Sequence, residues 1–352
     1  MFTQQDSEHL ASLRSQTEQV LRDTIGEHKD VALLDAPALV NVGDSLIWAG
    51  QLAYMDRLGY RVRYVSDMQS FDERRLRKAL PAGGTILLRG GGNFGDVWVG
   101  HQEHRERIAK ALPEYKIVQL TQSVLFKNAD RAKKANEILG AHPDFHLLVR
   151  DELSLERASE HLPDIDRTPC LDMAIGWDPK PDASVSSSST RAVVIAREDR
   201  EGASGLAEAA RSWQESFDIT VTDWGRHADV PARWHRTRKE LKFNRKLLGA
   251  KRKISTLVPA LPQSAIERRI AYLNDWNVDS AVNLFSTARG IAVDRLHAHV
   301  IAARLGIPHV VLDNNHGKIS TVFHAYTGQF SSAHYATSTD EAHEKLLGFM
   351  TS

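Results

Sequence analysis

GIAVDRLHAHVIAARLGIPHVVLD, residues 290–313, decides the fold. A short apolar run, GIAV, leads into a helical pattern that stops at Gly306, Ile307 and Pro308, and a second apolar run, HVVLD, follows. Strand, helix and strand in that order read as a parallel crossover unit. The turn into the helix carries DRLHAH, residues 294–299. Asp294 is placed to cap the helix, whose first backbone N–H groups have no partner inside it. Arg295 and His297 then fall in the first turn, where the helix dipole and the open N–H groups favour an anion. Open α/β sheets bind ligands outside the carboxyl ends of their strands. The segment therefore reads as a seat for a phosphate or carboxylate, with an imidazole beside it for proton transfer. The plainer reading, an ordinary capped helix start with solvated basic residues, fits the same spacing.

Working outward, the alternation extends in both directions. Upstream, strands are expected at 31–36, 61–66, 85–89, 116–120 and 146–150, with helical patterns such as SFDERRLRKAL and RAKKANEILGA between them. The stretch PKPDASVSSSSTR, residues 179–191, has no hydrophobic period and reads as a linker. After it come RAVVIA, a helix, DITVTDW, long basic helices, and the crossover unit itself. The expected fold is α/β, with two Rossmann-like domains, residues 1–182 and 190–352, facing across a cleft.

The chain has 352 residues, enough for two domains of ordinary size. Its formal net charge is zero, which gives no overall electrostatic case for a nucleic-acid partner. A single cysteine, Cys170, excludes an intramolecular disulfide framework and a multi-thiolate metal cluster. No His-x-x-x-His helix is joined to an acidic ligand, so no metal is expected. With no apolar run of membrane-spanning length and a polar N-terminus, the cytoplasm is the expected compartment.

Two loops of the first half sit at strand-to-helix positions. In NVGDSLIWAG, residues 41–50, Gly43 permits a tight turn and Asp44 stands where a helix cap would be. In RGGGNFGDVW, residues 89–98, three glycines precede Asn93 and Asp96. The latter is neither a phosphate-binding Walker loop nor a dinucleotide fingerprint, and turn chemistry alone explains each loop singly. Together they outline a binding face. In the second half, AREDRE (196–201) puts Arg197 just past a strand end, where its planar fork suits a carboxylate or phosphate. DNNHGK (313–318) adds Lys318 after the last apolar run.

Residues 233–253 hold ten Lys or Arg and one Glu. A solvated helical face accounts for this run. The alternative is a surface for anionic lipid or a lipid-linked pyrophosphate, at the inner face of the plasma membrane.

These segments, in this order, resemble the polysaccharide pyruvyltransferases, in particular those of bacterial exopolysaccharide assembly. NVGDSLIW, RGGGNFGD, AREDRE and above all DRLHAHVIAARLGIPHVVLDNNHGK carry the likeness, over about residues 40–320. The resemblance implies a fold like the two-domain GT-B glycosyltransferases and phosphoenolpyruvate as donor, with no further cofactor. Pyruvate is attached as a ketal across two hydroxyls of a sugar in an exopolysaccharide or its lipid-linked precursor. It also implies that Arg295 and Arg197 bind the donor and that His297 is the acid. Ala298 stands where family members often have Gly, and His299 follows, which leaves the proton donor open between two histidines.

The residue chemistry agrees with that implication. A donor carrying a phosphate and a carboxylate needs clustered cations, which Arg197, Arg295, Lys318 and the helix N-terminus supply. An imidazole beside anionic ligands has its protonated form favoured, as a general acid requires. Asp44, Arg89, Asn93 and Asp96 are expected on the acceptor side. A nucleotide-sugar glycosyltransferase would use the same architecture, and an inactive sugar-binding partner of an assembly complex is the rival from another class.

Overall fold

The alternation resolves into two separate sheets, in which every strand pairing is parallel. The computed structural model describes residues 2–180, 190–197, 204–215, 218–253, 261–313 and 318–351. Most of the expected linker, the acidic part of AREDRE, residues 314–317 and the Lys318 side chain lie outside the described residues.

The first sheet is built from β1 (Asp30–Leu34), β2 (Arg61–Ser66), β3 (Thr85–Leu88), β4 (Gly91–Gly95), β5 (Lys116–Leu125), β6 (Phe145–Val149) and β7 (Asp166–Pro169). Its order is β2-β1-β3-β5-β6-β7, with β4 paired to the far part of β5. Helices α1 (Gln4–Ile25), α2 (Val42–Arg57), α3 (Glu73–Ala79), α4 (Val99–Ala111), α5 (Ala129–Gly140) and α6 (Glu152–His161) surround it. The inner strands DVALL and TILL are buried throughout, as strands covered on both faces must be. The edges differ: β2 leaves Arg61 and Arg63 exposed, and β7, DRTP, is short and ends on a proline.

Two departures from the sequence reading stand out. The strand expected to end at 120 runs on to Leu125 through Thr121, Gln122 and Ser123, all buried. Their polarity hides the strand in the sequence, but Gln119 and Gln122 satisfy it by donating to the Arg89 carbonyl at 2.8 and 2.9 Å. The glycine loop that reads as a turn is itself partly strand, β4.

The second sheet contains β8 (Ala192–Ile195), β9 (Ile219–Thr222), β10 (Gly290–Val293), β11 (His309–Leu312) and β12 (Ala333–Ala336), in the order β12-β11-β10-β8-β9. With it go α7 (Leu206–Ser212), α8 (Ala232–Lys253), α9 (Gln263–Ser286), α10 (Leu296–Leu305), α11 (Lys318–Ala325) and α12 (Thr339–Thr351). The crossover unit is β10-α10-β11, and α10 stops where expected: Gly306 takes the left-handed conformation at φ 65°.

The two halves meet along a continuous seam. α9 packs on α2 and β2, and buried polar groups lock the contact. Ser45 Oγ donates to Asn274 Oδ1 at 2.8 Å, while the Asn277 amide donates to Ser45 Oγ and to the Leu39 carbonyl, both at 2.9 Å. α1 also reaches the second half, where the Asp6 carboxylate accepts from the Ser331 N–H and hydroxyl at 2.7 Å each. One apolar cluster, including Leu33, Leu46, Ile270, Phe285 and Val293, spans both halves. Among the described residues no helix is long and apolar enough to cross a membrane.

Candidate active site

Between the carboxyl ends of the two sheets lies a cleft walled by Asn41, Gly43, Asp44, Asn93, Trp98, His101 and Arg150 on one side. Arg197, Trp224, Asp294, Arg295 and His297 form the other side. Short connections after β1, β3, β6, β8, β9 and β10 deliver these residues, as the switch-point rule for open sheets requires.

On the second-half wall, α10 begins at Leu296 with Arg295 in the cap position, and no side chain caps the helix there. Asp294 does not serve as the cap. Its carboxylate instead accepts from the Arg197 N–H and the Ser204 hydroxyl, both at 2.7 Å, and so ties the ends of β8 and β10 together. The open helix N-terminus faces the cleft with the anion-seeking geometry that the sequence suggests. Arg295 is gripped by Asp223, which follows β9, through a bidentate pair of Nε and Nη2; the Nη2 contact is 2.6 Å. Arg197 and Arg295 thus share one wall.

His297 lies across the seam from Asp172. Its Nε2 stands 3.4 Å from Asp172 Oδ2, which also accepts from Arg150 Nη1 at 2.7 Å, and Oδ1 accepts from the Ala174 N–H at 2.9 Å. Burial pushes the Asp172 carboxyl up, but the charges of His297 and Arg150 outweigh it and hold the group well below the usual carboxylate range. A fixed anion is therefore aimed at the ring. The ring rests on the first turn of α2, so close that a Cβ at Gly43 would be 2.8 Å from its Nδ1. His299, by contrast, is buried on the other side of α10, its Nδ1 2.7 Å from His309 Nε2. It does not reach the cleft.

On the first-half wall, the cap of α2 is Asn41 rather than Asp44: its Oδ1 accepts from the Asp44 N–H at 3.3 Å. Asp44 lines the cleft and pairs through Oδ1 with Arg89 Nη1 at 2.9 Å. Arg89 itself is only 2% exposed and sits behind Asp44, its Nε donating to the Asp35 carbonyl at 2.8 Å. Asn93 lines the cleft, with its Oδ1 taken by Arg105 Nη2 and Gln122 Nε2, so its amide nitrogen is the atom left to offer a ligand. Asp96 is used elsewhere: its carboxylate accepts from the Lys127 and Asn128 N–H groups and anchors that loop. The structure thus brings Asp44, Asn93, Arg197, Arg295 and His297 together and sets Arg89 and Asp96 outside the cleft wall.

Six cleft or supporting residues escape the sequence reading: Trp98, His101, Arg150, Asp172, Asp223 and Trp224. Arg150 and Asp223 stand just past strand ends, the same signal that singles out Arg197, so that rule applied evenly finds them. His101 donates to Asp35 at 2.9 Å, and Asp35 itself adopts an uncommon positive φ of 64° at the end of β1. Among the described residues no group of three His, Cys, Asp or Glu is arranged to hold a metal.

The cleft thus joins a cationic wall with an open helix N-terminus, an imidazole facing a carboxylate, and an opposing wall of amide and carboxylate. The polysaccharide pyruvyl transferase family description aligns with residues 41–316, which include every cleft residue named above. The chain belongs to that family. EpsO of Bacillus subtilis (strain 168) is 28% identical over 330 residues, covering 91% of this chain and 92% of its own. Pyruvyl transferase 1 of Schizosaccharomyces pombe is 26% identical over 307 residues, covering 83% and 68%. In fold, the chain is similar to the crystal structure of the uncharacterized protein KP1_0663 of Klebsiella pneumoniae, with a TM-score of 0.53 at 12% identity, covering 93% and 99%. Family membership makes this protein a pyruvyltransferase-type enzyme acting on a sugar or polysaccharide.

Proposed function

We propose that the protein transfers the pyruvyl group of phosphoenolpyruvate to two hydroxyls of one sugar, forming a ketal and releasing phosphate. The observation that carries this reading is the convergence of Arg197, Arg295, His297 and the uncapped N-terminus of α10 on one side of a single cleft. That set matches a small donor with two anionic groups and one carbon to be protonated.

In this reading the phosphate and carboxylate of the donor lie against the two arginines and the α10 N–H groups. His297, oriented by Asp172, delivers its proton to the methylene carbon, leaving an oxocarbenium-like centre at the neighbouring carbon. One sugar hydroxyl attacks that centre, the bond to phosphate breaks, and the second hydroxyl closes the ketal. Of the two hydroxyl protons, one replaces that given by His297 and the other leaves with phosphate. Asp44 and the Asn93 amide face the acceptor from the opposite wall. Because phosphoenolpyruvate is a product of central metabolism, the reading places the reaction in the cytoplasm.

Isothermal titration of phosphoenolpyruvate into the wild type, Arg197→Ala and Arg295→Ala tests the donor. Binding by the wild type that is lost in both variants is the expected result. If phosphoenolpyruvate stays inert with candidate saccharides present while a nucleoside diphosphate binds, the donor is a nucleotide sugar and the reading fails.

A further inference from the structure

The basic run at 233–253 forms α8, and burial divides that helix sharply. Trp234, Thr237, Leu241 and Asn244 are buried, and α8 packs against α9. On the opposite side, His235, Arg236, Lys239, Lys242, Phe243 and Lys246 are exposed. At 100° per residue these six occupy roughly 120° of the helix circumference, centred opposite the buried line. The arc contains no acidic residue. Glu240 lies at its flank and is engaged by Arg269 Nε at 2.7 Å.

A helix face that is merely solvated mixes charge signs and has no use for a large apolar group. Here, in a chain of zero net charge, the exposed charges share one sign. Phe243, within the same arc, is 61% exposed, more than any other large hydrophobic side chain among the described residues. Lysines and an arginine beside an exposed phenylalanine on one helix face match the headgroup region of an anionic bilayer, where the cations meet phosphates and the ring enters the acyl boundary. A nucleic-acid strand would use the charge but give a single phenylalanine no stack of bases to join.

We propose that the outer face of α8 docks on an anionic lipid bilayer. The proposal does not depend on the donor or on the reaction in the cleft.

Co-sedimentation of the full chain with vesicles tests it, using phosphatidylcholine alone and an equal mixture with phosphatidylglycerol, alongside retention on heparin. Two surface variants, the Lys239→Glu/Lys242→Glu pair and Phe243→Ser, are checked for unchanged melting and unchanged phosphoenolpyruvate titration. The expected result is partition of the wild type onto anionic vesicles only. The charge-reversed variant should lose at least tenfold, and Phe243→Ser severalfold with heparin retention intact. No partition onto anionic vesicles at low salt, equal partition by all three proteins, or heparin retention without vesicle binding would each overturn the proposal, the last in favour of a different polyanion.

Discussion

Asp172 and His297 come from opposite halves of the chain, yet their side chains approach to 3.4 Å, with Arg150 holding the carboxylate from behind at 2.7 Å. The carboxylate is buried; Oδ1 accepts from the Ala174 N–H, while Oδ2, held by Arg150, faces the ring. Asp172→Asn keeps the shape and removes that charge. Turnover, followed as phosphate release from phosphoenolpyruvate with an accepting saccharide, should fall on the order of 10²-fold, as expected when an acid loses its orientation. Donor affinity by titration should stay within a factor of two or so of the wild type, since neither arginine of the anion wall is touched. A parallel loss of donor binding would mean that Asp172 shapes the pocket rather than the acid.

The two neighbouring histidines should separate cleanly. His297→Gln is expected to lower kcat by about 10²–10⁴ and leave melting almost unchanged. His299→Gln disturbs a buried imidazole pair instead, so it should lower the melting temperature and spare the turnover of the folded fraction. Comparable kcat losses in both would contradict the division of roles.

Gly43→Ala offers a test without removing any functional group. A methyl there meets Nδ1 of His297 at 2.8 Å and Cγ at 3.2 Å, so the ring must move away from its seat on α2. Alanine is the better helix former by up to about 1 kcal/mol, so stability should not suffer. A fall in kcat of about tenfold to a hundredfold, with KM for phosphoenolpyruvate little changed, is the expected pattern.

Arg150→Met strips the Asp172 carboxylate of a buried partner, which typically costs about 3–5 kcal/mol. Chemical denaturation should show that loss. Pairing the change with Asp172→Asn should restore much of it, because the stranded charge is gone. A double variant as unstable as Arg150→Met alone would locate the cost in packing.

Acid should weaken the fold in two stages. Burial brings the His309 pKa down to about 4, so the folded ring stays neutral where the unfolded one takes up a proton. Its contribution is whole above pH 6.5 and drains away towards pH 4, on the order of 3 kcal/mol. Asp35 follows. Burial raises its pKa, but Arg89 and His101 prevail and hold it at about 2. That contribution is complete above pH 3.8 and is lost as pH falls through about 2. Unfolding free energies measured by urea across this range should decline in the first window before the second. A level curve down to pH 5 would speak against the histidine stage.

The sequence made the crossover unit at 290–313 plain because its strands are unbroken apolar runs and its helix carries a glycine stop followed by proline. The same logic failed wherever a buried strand is polar or glycine-rich. The 121–125 part of β5 and all of β4 are of that kind, and β7 carries no apolar period at all. Cap assignments slipped by one position at Asp294 and by three at Asp44, since an acidic residue near a helix start can serve a neighbouring loop as readily as the helix. Arg89 looked like a ligand group and proved to be a buried partner of Asp44. Asp172 had no motif to announce it. Its approach to His297 arises only when the halves are apposed, which no local pattern encodes.

The Ser45, Asn274 and Asn277 lattice along the α2–α9 seam bears on how such a chain can be recombined. All three are buried, and Ser45 bridges the two asparagines, which also donate to the Pro37 and Leu39 carbonyls across the seam. Grafting the second half of this protein onto the first half of a relative would strand unpaired amides at the junction unless both sides of the lattice travelled together. The two halves are therefore a matched pair at this seam, and a swap that respects it must carry Ser45 together with Asn274 and Asn277.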